Sequence, residues 1–456
     1  MELTGWGRWP RRDCRIAHLT PTALGRKAPS GELGNGATGQ GDKGQGAIVH
    51  GRGRGYGDCA INPPLTVLSE RCNRFLSFDE ETGTLFVEAG VTSAEILELF
   101  VPRGWFLPVT PGTKFVTVGG MIAADVHGKN HHVAGSFGDH VHFLDLVSAD
   151  GTVLRCSSQE NEELFRMTIG GMGLTGHILR AAFRLIPIES AWIRQETVVA
   201  PDLDAAIDVF ESRMDATYSV AWIDCLSSGK ALGRSLIYLG EHARPEDLTR
   251  DRRSSPFHVA KRKVKSIPID APSWALNGLT VRAFNALYYR AGVRAPQSQL
   301  LDWDSYFYPL DAVLGWNRIY GRSGFAQYQF VLPLETSREG MREVLEAISA
   351  ANLGSFLAVL KRFGAGAADR PLSFPMEGYT LALDFSLSSA SLTLMDRLDE
   401  IVEAHGGRLY LAKDSRMSQR SFETGYGGQA EEYRRFRNRT GADRAFGSLM
   451  SRRLAL

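Results

Sequence analysis

The sequence lacks the features that mark several large classes of protein. Its five cysteines are odd in number and form no CxxC pair, which argues against a disulfide framework and a cysteine-based zinc site. No apolar run is long enough for a transmembrane helix, and the N-terminal residues show no signal-peptide pattern. A net charge of +1 leaves no broad basic face, so we expect no nucleic-acid partner. The length of 456 residues predicts about two globular domains.

Glycine, in contrast, is abundant and clustered. The segment Pro29–Gly46 is polar and glycine-rich, and it predicts a mobile loop. A strand from Ala47 then leads into Gly51–Asp58, which reads GRGRGYGD. Alternating glycines let the backbone curl around an anion, while the arginines supply charge and bidentate donors. This loop therefore predicts a phosphate site, and a glycine-rich surface turn is the alternative.

A second glycine pair, Gly119 and Gly120, follows an apolar lead-in and opens a short helix, MIAAD. We expect the free N–H groups of the first helical turn to favour a negative group there, such as a pyrophosphate. His127 and Lys129 follow within a turn or two and supply a titratable ring and a donor. The alternative is a buried turn and helix followed by a solvated basic loop.

Three histidines after this helix raise a distant alternative, a metal-binding protein that uses His127, His131 and His132. A spacing of four on a helix brings two rings together, but no carboxylate or HExxH pattern accompanies them.

Up to about Leu185 helices and strands mix without the regular repeat of a doubly wound sheet, so the class is α+β. From about residue 191 the pattern changes and predicts a second domain, a sheet with helices on one face. In FAQYQFV, Gln327 and Gln329 share one face of a strand, and paired amides suit a polyhydroxylated ligand. Strands are also predicted over Gly354–Leu360 and over Gly407–Asp414, the latter carrying Tyr410 and Lys413. A strand with one solvent face is the alternative for the glutamine pair.

The segment from Arg252 to Tyr289 has a basic part followed by an aromatic and aliphatic part. This order suits contact with an anionic membrane surface, and a solvated loop followed by an ordinary core helix is the alternative. The residues concerned are Arg252, Arg253, Lys261, Arg262, Lys263 and Lys265, then Ile267, Pro268, Trp274, Leu276, Phe284, Tyr288 and Tyr289.

Taken together, the motifs GRGRGYGD, TPGTKFVTVGGMIAADVHGKNHH, GGMGLTGHIL, FAQYQFVLP and YLAKDSR resemble the decaprenylphosphoryl-beta-D-ribose 2-oxidase family. That family belongs to the vanillyl-alcohol-oxidase class with a PCMH-type FAD-binding domain. The resemblance implies an α+β fold whose two-part FAD domain, residues 1–190 and 408–456, encloses an inserted substrate domain, residues 191–407. The inserted domain is expected to be an antiparallel sheet with helices on one face.

The resemblance also assigns site residues. Lys413 is the hypothesised catalytic base and His127 its reserve. The expected FAD contacts are Gly51, Arg52, Gly53, Arg54, Gly55, Tyr56, Gly57, Asp58, Gly112, Thr117, Val118, Gly119, Gly120, Ala124, His127, Ile178 and Tyr410. The expected substrate contacts are Tyr56, Lys129 at the phosphate, Gln327 and Gln329 at ribose hydroxyls, and Trp222 in the pocket wall. The first loop contains no histidine for a covalent tether, so FAD is expected to be held non-covalently. The chain departs from the family at Gly55, where the family usually has serine.

The implied reaction is FAD-dependent oxidation of the ribose 2-hydroxyl of a polyprenylphosphoryl-beta-D-ribose to the 2-keto sugar. A separate NADH-dependent keto-reductase would complete epimerisation to the arabinose donor for cell-wall arabinan. The lipid substrate implies a peripheral position at the cytoplasmic membrane or cell envelope, with contact through about residues 252–289. The nearer alternative is an FAD-dependent oxidase of a free alditol or sugar lactone.

Overall fold

The computed structural model describes residues 1–19, 46–272 and 276–456. The loop predicted over Pro29–Gly46, apart from its last residue, and Trp274 of the basic and aromatic segment lie outside the described residues.

The first part of the chain builds small sheets and short helices. A parallel sheet has the order β3-β5-β4, and a five-stranded antiparallel sheet has the order β10-β9-β11-β7-β6. The strands are β1 (Glu2–Thr4), β2 (Arg11–Asp13), β3 (Ile16–His18), β4 (Ile48–His50), β5 (Thr66–Leu68), β6 (Phe75–Asp79), β7 (Thr84–Glu88), β8 (Trp105–Phe106), β9 (Val141–Val147), β10 (Val153–Ser157), β11 (His177–Arg184) and β12 (Ile186–Pro187). The helices are α1 (Ser93–Phe100), α2 (Val118–Ala123), α3 (His131–Ala134) and α4 (Glu162–Thr168).

Local sequence signals explain these elements. Helix α1 begins at Thr92, whose side chain and that of Glu95 form a reciprocal capping box. Its apolar face, with Ile96 and Leu97, packs in one core cluster with Leu144 of β9. Val118 and Met121 of α2 belong to the same cluster, so this packing holds the second glycine loop in place.

The second part of the chain forms one large sheet. Its eight strands have the order β17-β13-β15-β14-β20-β21-β19-β22. The strands are β13 (Trp192–Ala200), β14 (Tyr218–Ile223), β15 (Ser235–His242), β16 (Lys265–Ser266), β17 (Ser298–Asp302), β18 (Val313–Leu314), β19 (Phe325–Pro333), β20 (Val359–Phe363), β21 (Gly378–Ser386) and β22 (Arg408–Leu409). The helices are α5 (Leu203–Ser212), α6 (Arg250–Arg253), α7 (Gly278–Arg294), α8 (Trp303–Phe307), α9 (Leu334–Ala351), α10 (Ser389–Ala404), α11 (Gln419–Thr440), α12 (Ala442–Ala445) and α13 (Leu449–Arg453).

The two faces of this sheet have different roles. Ile223 and Ile237 lie in one core cluster with residues of α5, α9 and α10, as the prediction of helices on one face requires. Helix α7 is an exception to this prediction, because its Tyr288 contacts Trp222 on the opposite face of the sheet, with 4.8 Å between the ring centroids. That opposite face also carries Gln327 and Gln329, so α7 and the candidate site share one side of the sheet.

The C-terminal helices pack against the first part of the chain. On α11, the Tyr433 hydroxyl donates to the carbonyl of Gly171 (2.7 Å), and Arg437 Nε donates to the carbonyl of Leu174 (3.1 Å). The observed mixture of helices with mainly antiparallel sheets confirms the α+β class. None of the helices that the structure describes has the length and apolar character needed to cross a bilayer.

Two strand predictions are wrong in their bounds. The strand predicted over Gly354–Leu360 is β20, Val359–Phe363, because Ser355 instead bonds to Cys225 and to the N–H of Asp384. The strand predicted over Gly407–Asp414 is limited to Arg408–Leu409, since the N–H groups of Lys413 and Asp414 turn back to the carbonyl of Tyr410.

Candidate active site

A cavity of about 540 Å³ lies between the two parts of the chain. Both glycine loops, the open face of the large sheet and the turn that carries Lys413 contribute to its wall. A volume of this size is typical of sites for cofactors and small molecules. The predicted residues that line it are Gly51, Arg52, Gly53, Arg54, Gly55, Tyr56, Gly112, Thr117, Gly119, Gly120, Ala124, His127, Ile178, Gln327, Gln329, Tyr410 and Lys413.

The first glycine loop forms an anion cradle. Within the described residues, the backbone N–H groups of Arg52, Gly53, Arg54 and Gly55 donate to no acceptor. Gly53 has φ +61°, and a Cβ on Gly51 would come within 2.5 Å of Thr117 Oγ1, so both positions favour glycine. Consecutive free amides in a curled loop bind anions.

Arg54 adds a positive charge to the cradle. Its guanidinium lies over the ring of Trp6, 4.1 Å from the centroid, and its buried Nε has no partner among the described residues. Burial lowers the pKa of this guanidinium, although arginine still remains charged. A diphosphate would satisfy both the loop amides and this side chain.

The second glycine loop corrects one prediction. The N–H groups of Val118, Gly119 and Gly120 are not free, because they donate to the carbonyls of Val91 and Ala89 and to Thr117 Oγ1. Helix α2 begins beside the residues that follow β7, and two of these residues, Ala89 and Val91, supply the carbonyl acceptors. Gly119 and Gly120 therefore offer close approach to bare backbone, and the free donors come from the first loop.

An aromatic wall closes another part of the cavity. The Tyr410 hydroxyl donates to the carbonyl of Ala124 (2.9 Å), and its ring stacks on Phe374 with 4.6 Å between centroids. Gln329 Nε2 lies 3.0 Å from His127 Nε2, so the amide donates and the histidine accepts. The pKa of His127 lies well below its ordinary value, first because of burial and then because of nearby cations such as Lys361.

Lys413, the hypothesised catalytic base, lines the cavity and has a lowered pKa. Burial, reinforced by the charge of Lys361 and opposed by Asp384, lowers its pKa from 10.5 to about 7. Its Nζ lies 3.8 Å from the centroid of the Tyr56 ring. The amine makes no ion pair with a described residue, and with a pKa of about 7 about half of it is unprotonated at neutral pH.

Sequence reasoning missed two cavity residues, Lys361 and Asp384. Burial lowers the pKa of Lys361 to about 8, and burial raises the pKa of Asp384 to about 7. Asp384 lies opposite Gln327 in the sheet and accepts a hydrogen bond from its Nε2 (2.6 Å). The alternation of Leu381, Leu383 and Phe385 was a usable signal, because it turns Asp384 to the site face.

Five predicted residues do not line the cavity. Lys129 Nζ donates to the carbonyl of Tyr306 (2.6 Å) and lies over that ring, and Trp222 Nε1 donates to the carbonyl of Phe356. The others are Gly57, Asp58 and Val118. Lys129 therefore lies in a buried aromatic environment outside the lining of the cavity.

Arg453 ties the first loop to the turn that carries Lys413. Its guanidinium makes a bidentate contact with Asp58 (2.9 and 3.1 Å) and lies 2.8 Å from an oxygen of Asp414. Gly57 packs against the carbonyl of Asp414, where a Cβ would clash. Asp58 therefore contributes to the site through Arg453 without lining the cavity.

The histidine cluster does not form a metal site within the described residues, where no group of three potential ligands converges. His132 Nε2 contacts the carbonyl of Ala216, and the ring of His131 packs on Phe363.

The residues present fit the expected FAD. Free loop amides and Arg54 suit a diphosphate, and His127 Nδ1 is buried at the wall without a partner among the described residues. A cavity lined by glycine and aromatic residues suits an extended cofactor with a flat ring.

Comparisons with known proteins agree with this fit. A family profile described as FAD binding domain matches residues 41–157. Decaprenylphosphoryl-beta-D-ribose oxidase of Mycolicibacterium smegmatis is 36% identical over 100% of this chain and 97% of its own length. L-gulonolactone oxidase of Bos taurus is 29% identical over 36% of this chain and 37% of its own. Delta(24)-sterol reductase of Homo sapiens is 34% identical over 25% and 22%, respectively.

Proposed function

The chain belongs to the decaprenylphosphoryl-beta-D-ribose oxidase family and is an FAD-dependent oxidoreductase, and from this premise we propose that it oxidises the ribose 2-hydroxyl of a polyprenylphosphoryl-beta-D-ribose to the 2-keto sugar. The observation that carries the proposal is the position of Lys413. Its amine, with a pKa of about 7, faces the same cavity as the phosphate cradle and the polar face of the large sheet.

Oxidation of a secondary alcohol requires removal of a hydride from carbon and of a proton from oxygen. Bound FAD supplies the hydride acceptor. Lys413 accepts the hydroxyl proton, since its lowered pKa leaves much of the amine neutral near pH 7. His127 is the weaker candidate, because its pKa is well below 6.5 and its accepting nitrogen is occupied by Gln329.

The sheet face orients the sugar. Gln327 and Gln329 present amides to the cavity, and Asp384 holds Gln327 in place through a 2.6 Å hydrogen bond. Tyr56 adds an aromatic surface below Lys413. These groups can donate to and accept from ribose hydroxyls on one side of the ring.

Lys361 replaces Lys129 as our candidate for the substrate phosphate. Lys361 lines the cavity and makes no ion pair with a described residue, whereas Lys129 is held by Tyr306. A buried amine without a counterion favours an anionic ligand group, because the ligand charge would offset the cost of burying the cation.

The proposed reaction is the first half of an epimerisation. An NADH-dependent keto-reductase would reduce the 2-keto sugar to the arabinose donor for cell-wall arabinan. The lipid chain of the substrate places the enzyme peripherally at the cytoplasmic membrane or cell envelope, and cell fractionation tests that position. We also propose that FAD is held non-covalently, so that denaturation should release all of it.

Anaerobic mixing tests the reaction directly. Prenylphosphoryl ribose should bleach the bound flavin, and free pentoses, alditols and sugar lactones should not. The second candidate, oxidation of a free alditol or sugar lactone, is favoured only by the partial similarity to L-gulonolactone oxidase. Bleaching by a free sugar at a rate equal to that with the lipid substrate would overturn the proposal in favour of this candidate.

A further inference from the structure

Exposed apolar side chains are concentrated in one region of the molecule. Eight of the thirteen large exposed apolar residues of the described chain lie between residues 264 and 314. Five of them are on α7, namely Leu279, Phe284, Leu287, Tyr288 and Val293. Concentration of this kind marks a surface that binds a partner.

A basic segment borders this apolar surface. Between residues 252 and 294 the sequence has nine lysines and arginines and a single carboxylate. Arg262 anchors the segment by donating to the carbonyls of Tyr308 and Pro309, while its neighbours Lys261 and Lys263 are exposed. Lys265 is exposed as well, so three lysine amines point to solvent from an anchored segment.

Not all of the predicted basic residues belong to this surface. Arg252 stacks on Trp192 at 3.8 Å, and Arg253 donates to the carbonyls of Pro245, Glu246 and Leu248. These two arginines contact neighbouring groups of the fold, and the exposed cations that make no bond to a described residue begin at Lys261.

The basic segment is joined to the mouth of the active-site cavity. Strand β16, Lys265–Ser266, pairs in parallel with β18, Val313–Leu314. Both residues of β18 line the cavity, and Leu314 is 47% exposed. One wall of the cavity and the lysine-bearing strand are therefore neighbours in the same small sheet.

The apolar wall continues from the cavity towards α7. Leu357 lines the cavity beside Phe356, whose ring contacts Phe284 of α7 at 5.6 Å. Phe284 is 43% exposed and Leu287, one turn away on its exposed side, is 66% exposed. An apolar chain leaving the cavity would thus meet apolar side chains as far as the outer surface of α7.

We propose that this surface, formed by Lys261, Lys263, Lys265, Leu314 and the exposed side of α7, docks on an anionic lipid bilayer with the cavity mouth facing the lipid. Resting on the proposed function, this orientation lets the phosphorylated sugar enter the cavity while its prenyl chain remains in the bilayer. The enzyme then acts on a substrate that never leaves the membrane.

The combination of charge and apolar exposure selects a bilayer as the occupant. Lysines beside exposed leucine and aromatic residues match an interface in which anionic headgroups lie next to hydrocarbon. The surface also adjoins the cavity in which, on the proposed function, a lipid-linked headgroup reacts.

Vesicle co-sedimentation of the FAD-loaded protein tests the docking surface. The variant Lys261→Gln/Lys263→Gln/Lys265→Gln should lower partition onto vesicles of phosphatidylglycerol and phosphatidylcholine by roughly a hundredfold, at about fivefold per lysine. The matched control Arg435→Gln/Arg439→Gln/Arg444→Gln removes the same charge from exposed positions of the C-terminal segment and should keep full partition.

A second variant, Leu287→Asp, tests the apolar component and should also abolish partition. Both variants should keep their FAD and their flavin bleaching by a short-chain, water-soluble prenylphosphoryl ribose. Unchanged partition of both variants, or an equal loss in the control, would overturn the docking surface. Self-association through this face would overturn it too. It would appear in sedimentation as a wild-type dimer that does not bind vesicles and that Leu287→Asp converts to a monomer.

The docking surface and the proposed function fail in different ways. Intact vesicle binding without bleaching by either lipid substrate would reject the proposed function alone. Bleaching by the soluble substrate without vesicle binding by the wild type would reject the docking surface alone.

Discussion

Replacement of Lys413 tests the centre of the mechanism. With an ordinary pKa of 10.5, only about one amine in 3,000 would be neutral at pH 7, whereas a pKa of about 7 leaves about half of them neutral. Loss of a positioned general base costs about 10²- to 10⁴-fold in rate. Lys413→Ala should therefore retain FAD but reduce flavin bleaching by at least about a hundredfold.

A matched variant separates charge from proton acceptance. Lys413→Arg keeps the positive charge and much of the length, yet arginine does not lose its proton in proteins. It should be as inactive as the alanine variant. A small primary amine added to Lys413→Ala should restore part of the rate, because it can enter the vacated space and accept the proton.

The assay is anaerobic stopped-flow reduction of bound flavin by prenylphosphoryl ribose across about pH 5.5 to 9. The wild-type rate should rise towards a plateau as pH passes through about 7, since only the unprotonated amine is active. The reasoning would be refuted by a flat wild-type profile, or by an arginine variant within tenfold of the wild-type rate.

Three further substitutions follow from the same geometry. Asp384→Asn removes the carboxylate whose charge raises the pKa of Lys413, so the rate should rise at a pH about one unit lower than in the wild type. A shift to higher pH would contradict this effect of Asp384. Lys361→Met should raise KM for prenylphosphoryl ribose by roughly tenfold to a hundredfold and leave its kcat nearly unchanged at about pH 9, where Lys413 is unprotonated in both proteins. A fall in kcat at that pH with an unchanged KM would deny Lys361 the phosphate contact. Arg453→Gln leaves the carboxylates of Asp58 and Asp414 without their shared arginine, so the free energy of unfolding should fall by about 2 kcal/mol, and Tm and FAD affinity with it. Arg434→Gln, which removes an arginine paired with Glu423, is the matched control. A Tm and an FAD Kd equal to those of the wild type would show that Arg453 does not hold the first loop to the Lys413 turn.

Much of the site could be predicted where local chemistry decides the outcome. In the first loop Gly53 has a positive φ, and at Gly51, Gly55 and Gly57 a Cβ would meet a neighbouring atom. The glycine pattern itself indicates such a loop, and the loop lies at the cavity. The period of two in the strand around Gln327 and Gln329 also fixes which side chains share a face.

The features that sequence reasoning missed depend on distant partners. Whether the amides of α2 are free depends on Ala89 and Val91, and pairing of that kind is invisible in the glycine motif itself. Lys361 was missed because the end of its strand was misplaced, and the bond from Lys129 to Tyr306, 177 residues later, has no local signal. Arg453 and Asp58 are 395 residues apart, so their contact has no local signal.

The assembly of the cavity from remote segments has a consequence for biosynthesis. Arg54 and Lys413 both line the cavity, although they lie far apart in the sequence. A nascent chain that still lacks the residues around Lys413 has no complete pocket, so we expect stable cofactor loading only after those residues have folded. The unloaded protein then exists as an intermediate whose stability rises when flavin becomes available, and riboflavin supply should set how much of it survives in the cell.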